Sequence, residues 1–220
     1  MKKLLIPFTF CLLALAVSAQ QAENTDTKAN AILKSLSTKT KTYKTITGEF
    51  TFTQYGKDKK PGESQNGKLL LKGAKYKLDI KNQTTWCDSI TKWTFIKDAN
   101  QVQINSVDTS DEKGGLSPST IFKFYEKGFK SHFVDEEKIN GLLCQCVELY
   151  PKHPEKAKYH TIKLFIDKVK NQISQISILM KDGTTQIITI DKFTPNAPMP
   201  NSTFIFDAKN FPGVEIEDLR

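Results

Sequence analysis

The chain has 220 residues, of which 38% are hydrophobic and 25% charged, and a formal net charge of +8. This length suits one domain or one large β architecture. The lysines are spread along the chain, and no basic helix or recognised nucleic-acid-binding motif is present, which argues against a nucleic-acid partner. Such lysines are typical of a solvated surface, and they are also suited to anionic lipid headgroups or an acidic partner.

The N-terminus has the pattern of a secretory signal peptide. Lysines at positions 2 and 3 precede an apolar run over 4–17, and a small-residue cleavage site ends at Ala19. The run is too short and wrongly flanked for a membrane span. We therefore predict that residues 1–19 are removed and that 20–220 form one periplasmic domain with a net charge of +6. Two other alanines are alternative cleavage sites: Ala16 and Ala22.

The next segment predicts an amphipathic helix. Ala29, Ile32, Leu33 and Leu36 are spaced as one apolar helical face. A polar residue at 25–27 can cap its start. The helix is expected to end before the chain reaches position 47, because the Thr-Lys segment after Leu36 lacks an apolar face.

The following chain predicts strands. In the run 48–56, Phe50 and Phe52 are two residues apart, so they project to one face. Similar alternation recurs about eleven times, mostly in hairpin order. One hairpin is marked by the turn Lys181-Asp182-Gly183. No strand–helix–strand alternation is present, so an antiparallel sheet is expected.

A second helix is predicted between the two groups of strands. Pro118 after Ser117 suits the start of a short helix, and Gly128 suits its end. Its apolar stripe would contain Ile121, Phe122 and Tyr125.

The cysteines leave two readings open. Cys87 can pair with either Cys144 or Cys146 in an exported protein, or all three can be buried and unpaired. The three histidines show no metal-ligand spacing with the cysteines.

Catalytic motifs are sparse. The run 62–69 is close to a phosphate-binding loop, but Leu69 stands where a magnesium-binding hydroxyl is needed. We therefore expect neither an enzyme nor a bound metal or cofactor. An exported hydrolase using His132 or His160 remains an alternative.

The aromatic residues suggest a binding cavity. They lie mostly in alternating strands, and a curved sheet covered by only two short helices leaves an apolar interior incompletely filled. Such a cavity suits a lipid.

Several short motifs, in this order, resemble the periplasmic outer-membrane lipoprotein carrier family of the LolA type. They are Phe52-Thr53-Gln54, Gly67-Lys68-Leu69, the run 75–78, the Asp88–Phe95 segment, Phe204-Ile205-Phe206 and the run 212–218. The resemblance covers nearly the whole chain after the signal peptide and marks it as a divergent member.

The resemblance implies a mainly β fold. This would be an open antiparallel half-barrel of about eleven strands, with the N-terminal helix and the short central helix forming a lid over an apolar cavity. It also implies a carrier that takes acylated lipoproteins from an inner-membrane ABC-type releasing complex to an outer-membrane acceptor. Lys72 takes the place of a family arginine that controls the lid, and Tyr76 that of a phenylalanine. Ser89 replaces an expected glycine. The default state is a monomer.

On this reading, ten residues are candidates for acyl-chain binding: Phe50, Phe52, Leu69, Leu71, Tyr76, Leu78, Trp93, Phe95, Val102 and Ile104. Six would form the inner face of the lid: Ile32, Leu33, Leu36, Ile121, Phe122 and Tyr125. The alternative function is a regulatory module on the same fold that senses lipids or lipoproteins.

Overall fold

The computed structural model describes residues 13–107 and 116–220, with side chains from position 26 onward. Over these residues, the fold consists of one α-helix, α1 (Leu13–Thr40), twelve strands and several short 3-10 turns. The strands are β1 (Ile46–Tyr55), β2 (Pro61–Lys72), β3 (Lys75–Ile80), β4 (Gln83–Cys87), β5 (Thr91–Ile96), β6 (Gln101–Ser106), β7 (Phe129–Ile139), β8 (Leu142–Pro151), β9 (Tyr159–Asp167), β10 (Gln172–Met180), β11 (Thr185–Pro195) and β12 (Glu215–Asp218). Within these ranges, no helix combines the length and the apolar character needed to cross a membrane.

All twelve strands form one open sheet in the order β12-β6-β5-β4-β3-β2-β1-β11-β10-β9-β8-β7. Neighbours are antiparallel except β12, which pairs in parallel with β6. The predicted open antiparallel half-barrel is therefore confirmed. The sequence pattern indicated about eleven strands; β12 has only four residues, all exposed, and shows no buried alternation.

The sheet has an inner and an outer face. We define the inner face by Phe50, Leu69 and Leu78, which adjoin one another across β1, β2 and β3. The helix α1 buries Ala29, Ile32 and Leu36 in the same core as the inner-face residues of β8–β10. Burial of this helical stripe removes apolar surface from water and holds α1 on the sheet.

Two helix predictions need correction. The helix α1 begins at Leu13, upstream of the caps expected at 25–27. The predicted central helix over 117–128 is instead a series of turns with a 3-10 turn at Phe124–Glu126. Hydrogen bonds of side chains hold the start of this segment. The Thr120 hydroxyl accepts from the backbone N–H of Ser117 and lies 2.8 Å from the Ser117 hydroxyl. Such local bonds compete with helix formation.

The C-terminal segment 196–214 crosses the outer face. Trp86 lies 5.5 Å from Phe206 and 5.7 Å from Phe211, measured between ring centroids. Phe95 lies 4.7 Å from Phe211. This aromatic cluster therefore covers β4 and β5 from outside and leads the chain into β12.

The structure describes three of the cysteines. Cys87, Cys144 and Cys146 are all buried, and no disulfide joins any two of these three. Cys144 and Cys146 pack with Phe165 in a small cluster apart from the main core.

Candidate ligand cavity

The inner wall of the cavity is built by alternation on three neighbouring strands. Phe50 and Phe52 point inward from β1. Their partners on β11 are Ile190 and Ile188, and the partner of Phe50 on β2 is Gly67. Because directly paired residues project to the same face, these side chains form one apolar surface.

This surface lines a cavity of about 640 Å³. The lining comes from β1–β3, from β9–β11, from the β8–β9 connection and from the segment that crosses the inner face before β7. It consists of Gly48, Phe50, Phe52, Leu69, Leu78, Ile80, Leu116, Ser117, Pro118, Ile121, Phe122, Lys156, Lys158, Tyr159, Ile178, Met180, Gln186, Ile188 and Ile190. A mostly apolar cavity of this size is suited to a small apolar ligand.

Gly67 determines where the ring of Phe50 lies. A Cβ atom at Gly67 would stand 2.3 Å from Cζ of Phe50 and less than 3 Å from two further ring carbons. These distances are too short for any real contact, so the ring occupies the space above the glycine. The position of this cavity-lining ring therefore depends on position 67 being a glycine, which has no side chain.

The segment 116–126 forms a roof over part of the cavity. Three side chains of this segment are buried: Ile121, Phe122 and Tyr125. The ring of Phe122 meets that of Phe193 edge to face, with centroids 5.4 Å apart. These contacts place the roof against β11 at the end of the inner face that lies next to α1.

A polar contact ties the roof to α1 at Glu126. The Ser37 hydroxyl donates to its carboxylate at 2.5 Å, and Nζ of Lys41 lies 3.2 Å away. Partial burial raises the pKa of Glu126, but these two partners outweigh that effect and lower the pKa below its ordinary value. The contact therefore favours a charged Glu126 and a roof held against the helix.

The side chains of the lining are suited to enclosing a ligand. Its titratable groups are Lys156, Lys158 and Tyr159. Burial raises the pKa of Tyr159, which keeps its hydroxyl protonated at neutral pH. The lining can therefore enclose apolar groups and offers positive charge at one end.

The structure brings six of the predicted site residues to the cavity: Phe50, Phe52, Leu69, Leu78, Ile121 and Phe122. Six others lie in or against the packed core and not on the cavity: Leu71, Tyr76, Ile32, Leu33, Leu36 and Tyr125. For this second group the structure indicates packing as the main role.

Four predicted binding residues lie on the outer face: Trp93, Phe95, Val102 and Ile104. The strand register fixes this placement, because Phe95 pairs with Thr84, which pairs with Asp79, and Asp79 alternates with the inner-face residue Leu78. Val102 is fully buried there, outside the main core cluster. The prediction placed these residues in the cavity, and the structure places them on the opposite side of the sheet.

Lys72, the predicted lid-control residue, also lies on the outer face. Its Nζ donates to the backbone carbonyl of Met199 at 2.9 Å. The lysine therefore holds the C-terminal segment and contacts neither α1 nor the roof through this bond.

Several lining residues were missed in the sequence. Ile188 and Ile190 have the same period-two spacing as Phe50 and Phe52, which was a usable signal. Ile178 and Met180 are likewise two residues apart on β10. The lysines and Tyr159 come from a connection and a strand start, for which periodicity gives no signal.

Neither histidine of the hydrolase alternative lies on the cavity lining. Nδ1 of His132 is 3.1 Å from the carboxylate of Asp26 on α1. Nδ1 of His160 is 2.9 Å from the Thr161 hydroxyl. Both contacts explain these side chains without a substrate.

Among the residues that the structure describes, one group of side chains has ligand atoms close enough to hold a metal: Asp135, Glu137 and Cys146, within 4.8 Å of one another. Burial and the nearby Glu137 carboxylate raise the pKa of the Cys146 thiol to about 12. Because the thiolate is the form that binds metal, Cys146 would have to lose its proton on binding.

No protein-family profile and no curated protein matches the sequence. Solved structures do match the fold. An uncharacterized conserved protein from Thermus thermophilus is 8% identical over 87% of this chain and 99% of its own, with a TM-score of 0.57. The lipoprotein LppX of Mycobacterium tuberculosis is 12% identical over 77% of this chain and 96% of its own, with a TM-score of 0.50.

A LolA superfamily protein from Nitrosomonas europaea also matches, at 11% identity over 81% of this chain and 98% of its own, with a TM-score of 0.43. At these identities a likeness shows the fold alone. The first two structures confirm the fold that the resemblance implied.

Proposed function

We propose that the protein binds the acyl chains of lipoproteins in the cavity of the inner face. The observation that carries this proposal is the cavity of about 640 Å³ with a mostly apolar lining. Leucine, isoleucine and phenylalanine side chains bind methylene groups without directional bonds, which favours a ligand that must later be released.

The size of the cavity suits one long chain. A methylene group occupies roughly 30 Å³, about the share of one water molecule in the liquid. The cavity therefore has room for roughly twenty such groups, or one acyl chain. Each buried methylene contributes about 0.8 kcal/mol, so a chain of roughly sixteen carbons gains of order 10 kcal/mol before the costs of association.

Two or three chains would require the inner face to open further. The roof is the element that would have to move, because Ile121 and Phe122 line the cavity from that side. The bonds from α1 to Glu126 are polar and exposed, and such contacts contribute only modestly to stability. Opening the roof would break these weak contacts and would also expose the buried side chains of Ile121, Phe122 and Tyr125, so the incoming chains must replace the apolar burial that is lost there.

The setting of this activity is the periplasm. After removal of residues 1–19, the domain 20–220 would act as a monomer without a cofactor. It would take acylated lipoproteins from an inner-membrane ABC-type releasing complex and pass them to an outer-membrane acceptor. The signal-peptide pattern supports the location, and the motif order supports the carrier role.

The test compares two neighbouring residues on β1. Phe52→Glu places a charge in the cavity, whereas Thr53→Glu places one on the opposite face of the same strand. We expect Phe52→Glu to abolish binding of a fluorescent acylated lipopeptide and Thr53→Glu to bind within about twofold of the parent. Both variants should retain the circular dichroism spectrum of the parent.

Equal binding by both folded variants would contradict the assignment of the cavity. Binding of the unacylated peptide with the same affinity would contradict the assignment of the ligand.

A further inference from the structure

One end of the half-barrel carries most of its connection lysines. Because neighbouring strands are antiparallel, the β1–β2, β3–β4, β5–β6, β8–β9 and β10–β11 connections lie at the same end, together with the residues just before β7. These connections, called the basic rim, comprise residues 56–60, 81–82, 97–100, 127–128, 152–158 and 181–184. The basic rim contains ten lysines and four acidic residues, a net charge of +6.

The ten lysines are all exposed: Lys57, Lys59, Lys60, Lys81, Lys97, Lys127, Lys152, Lys156, Lys158 and Lys181. Four have polar partners, such as Asp58 for Lys60 and Glu63 for Lys81. In the part of the chain that the structure describes, the side-chain amines of the other six donate no hydrogen bond and form no ion pair, although Lys57 is close enough to Asp182 to help lower the pKa of that carboxyl group. Most of the positive charge on the basic rim is therefore available to a partner.

One end of the cavity lies at the basic rim. Lys156 and Lys158 belong both to the basic rim and to the lining. Ile80 and Met180, the last residues of β3 and β10, line it as well. Toward the opposite end, the inner face is filled by the contacts of Phe193 with Tyr43 and Phe122. Lysines therefore surround the end at which a chain would enter.

We propose that the basic rim docks the mouth of the cavity on the surface of an anionic lipid bilayer. Six separate connections carry the charge, so it is spread over the whole rim, which fits an extended charged surface better than a single headgroup. Docking in this orientation lets an acyl chain pass between bilayer and cavity without crossing water. The inference goes beyond chain binding and can be tested without any acylated peptide.

The first test is vesicle flotation with purified protein. We expect binding to vesicles of phosphatidylcholine with 30% phosphatidylglycerol, no detectable binding to vesicles of pure phosphatidylcholine, and release from the anionic vesicles in 0.5 M NaCl. A lysine near an anionic surface strengthens binding by roughly fivefold. Replacement of four rim lysines by Gln (Lys57, Lys59, Lys156 and Lys158) is therefore expected to weaken binding by roughly six-hundredfold, the product of four fivefold losses.

The matched control replaces four exposed lysines away from the basic rim: Lys138, Lys170, Lys192 and Lys209. It changes the net charge equally, and we expect it to lose less than about fivefold. Equal losses in the two variants would overturn the proposal, because the attraction would then depend on net charge alone. Equal binding to neutral and anionic vesicles would also overturn it.

A second measurement reports orientation and does not depend on the folding of the fourfold variant. The native cysteines in the described part are buried, so a polarity-sensitive dye can be attached at Lys156→Cys or Lys170→Cys. We expect anionic vesicles to shift the dye emission at position 156 and to leave it unchanged at 170. A shift at 170 alone, at both positions or at neither would overturn the proposal. Failure here with intact lipopeptide binding would leave the proposed function in place.

Discussion

Gly67→Ala tests whether the ring of Phe50 is held in place by the absence of a side chain opposite it. The added methyl group would stand 2.3 Å from Cζ of Phe50, and a ring atom must retreat by about 1 Å or more to reach an ordinary contact distance. The ring has space to move toward the cavity that it already lines. We therefore expect lower affinity for an acyl chain together with lower stability.

The magnitude follows from two opposing effects. Overpacking costs about 1–3 kcal/mol, whereas replacing glycine by alanine within a strand gains about 0.5–1 kcal/mol from the unfolded state. The net loss is about 1 kcal/mol, which lowers the melting temperature by roughly 2–4 °C in a chain of this size. In a Phe50→Ala background the clash disappears, so Gly67→Ala should instead stabilise by about 0.5 kcal/mol.

The assay is a double-mutant cycle measured by urea unfolding. We expect a coupling energy of roughly 1.5–2 kcal/mol between positions 50 and 67, with opposite signs for Gly67→Ala in the two backgrounds. If Gly67→Ala has the same effect on the unfolding free energy in both backgrounds, the ring does not depend on the glycine and the reasoning is refuted.

Three further variants separate the roof, the outer face and the cavity. Glu126→Gln removes a carboxylate whose pKa is lowered in the folded protein, and it should reduce the free energy of unfolding by less than about 1 kcal/mol at neutral pH. This difference from the parent should vanish as the pH falls below 4.5, because the parent carboxylate then becomes protonated. A difference in urea melts that stays constant with pH would contradict this. Phe204→Ala removes a fully buried ring of the C-terminal segment and should cost about 3–5 kcal/mol, while folded protein keeps the parent's lipopeptide affinity in fluorescence titrations. Lys72→Met should cost no more than about 1.5 kcal/mol and leave the lipopeptide release rate unchanged in stopped-flow experiments, whereas a changed rate would restore Lys72 as a lid-control residue.

Strand periodicity was sufficient to predict the sheet and part of the cavity. Four correct lining residues lie on β1, β2 and β3, which follow one another in the chain and pair in that order: Phe50, Phe52, Leu69 and Leu78. In an antiparallel meander, local hairpins set the register, so the alternation is informative.

The same periodicity could not tell which face of β5 and β6 is inward. Phe95 packs against Phe211 of the C-terminal segment, which is more than a hundred residues away in the chain, and Val102 is fully buried on the same face. A sheet buried on both faces has apolar residues at both phases of the alternation. Only the register, followed strand by strand from Phe50, assigns Phe95 to the outer face.

The roof was mispredicted for a different reason. Its apolar spacing fits a helix, but the Thr120 hydroxyl bonds to the backbone and to the hydroxyl of Ser117. The inner face provides the packing that Ile121 and Phe122 need. Tertiary contacts then decide the local structure in place of intrinsic propensity.

Native mass spectrometry of the protein with matched acylated and unacylated lipopeptides tests the central claim most directly. The cavity of about 640 Å³ predicts uptake of one acylated peptide per protein molecule and none of the unacylated form. A protein that stays empty in the presence of both peptides, or binds both equally, would contradict the assignment of the inner face as an acyl-chain site.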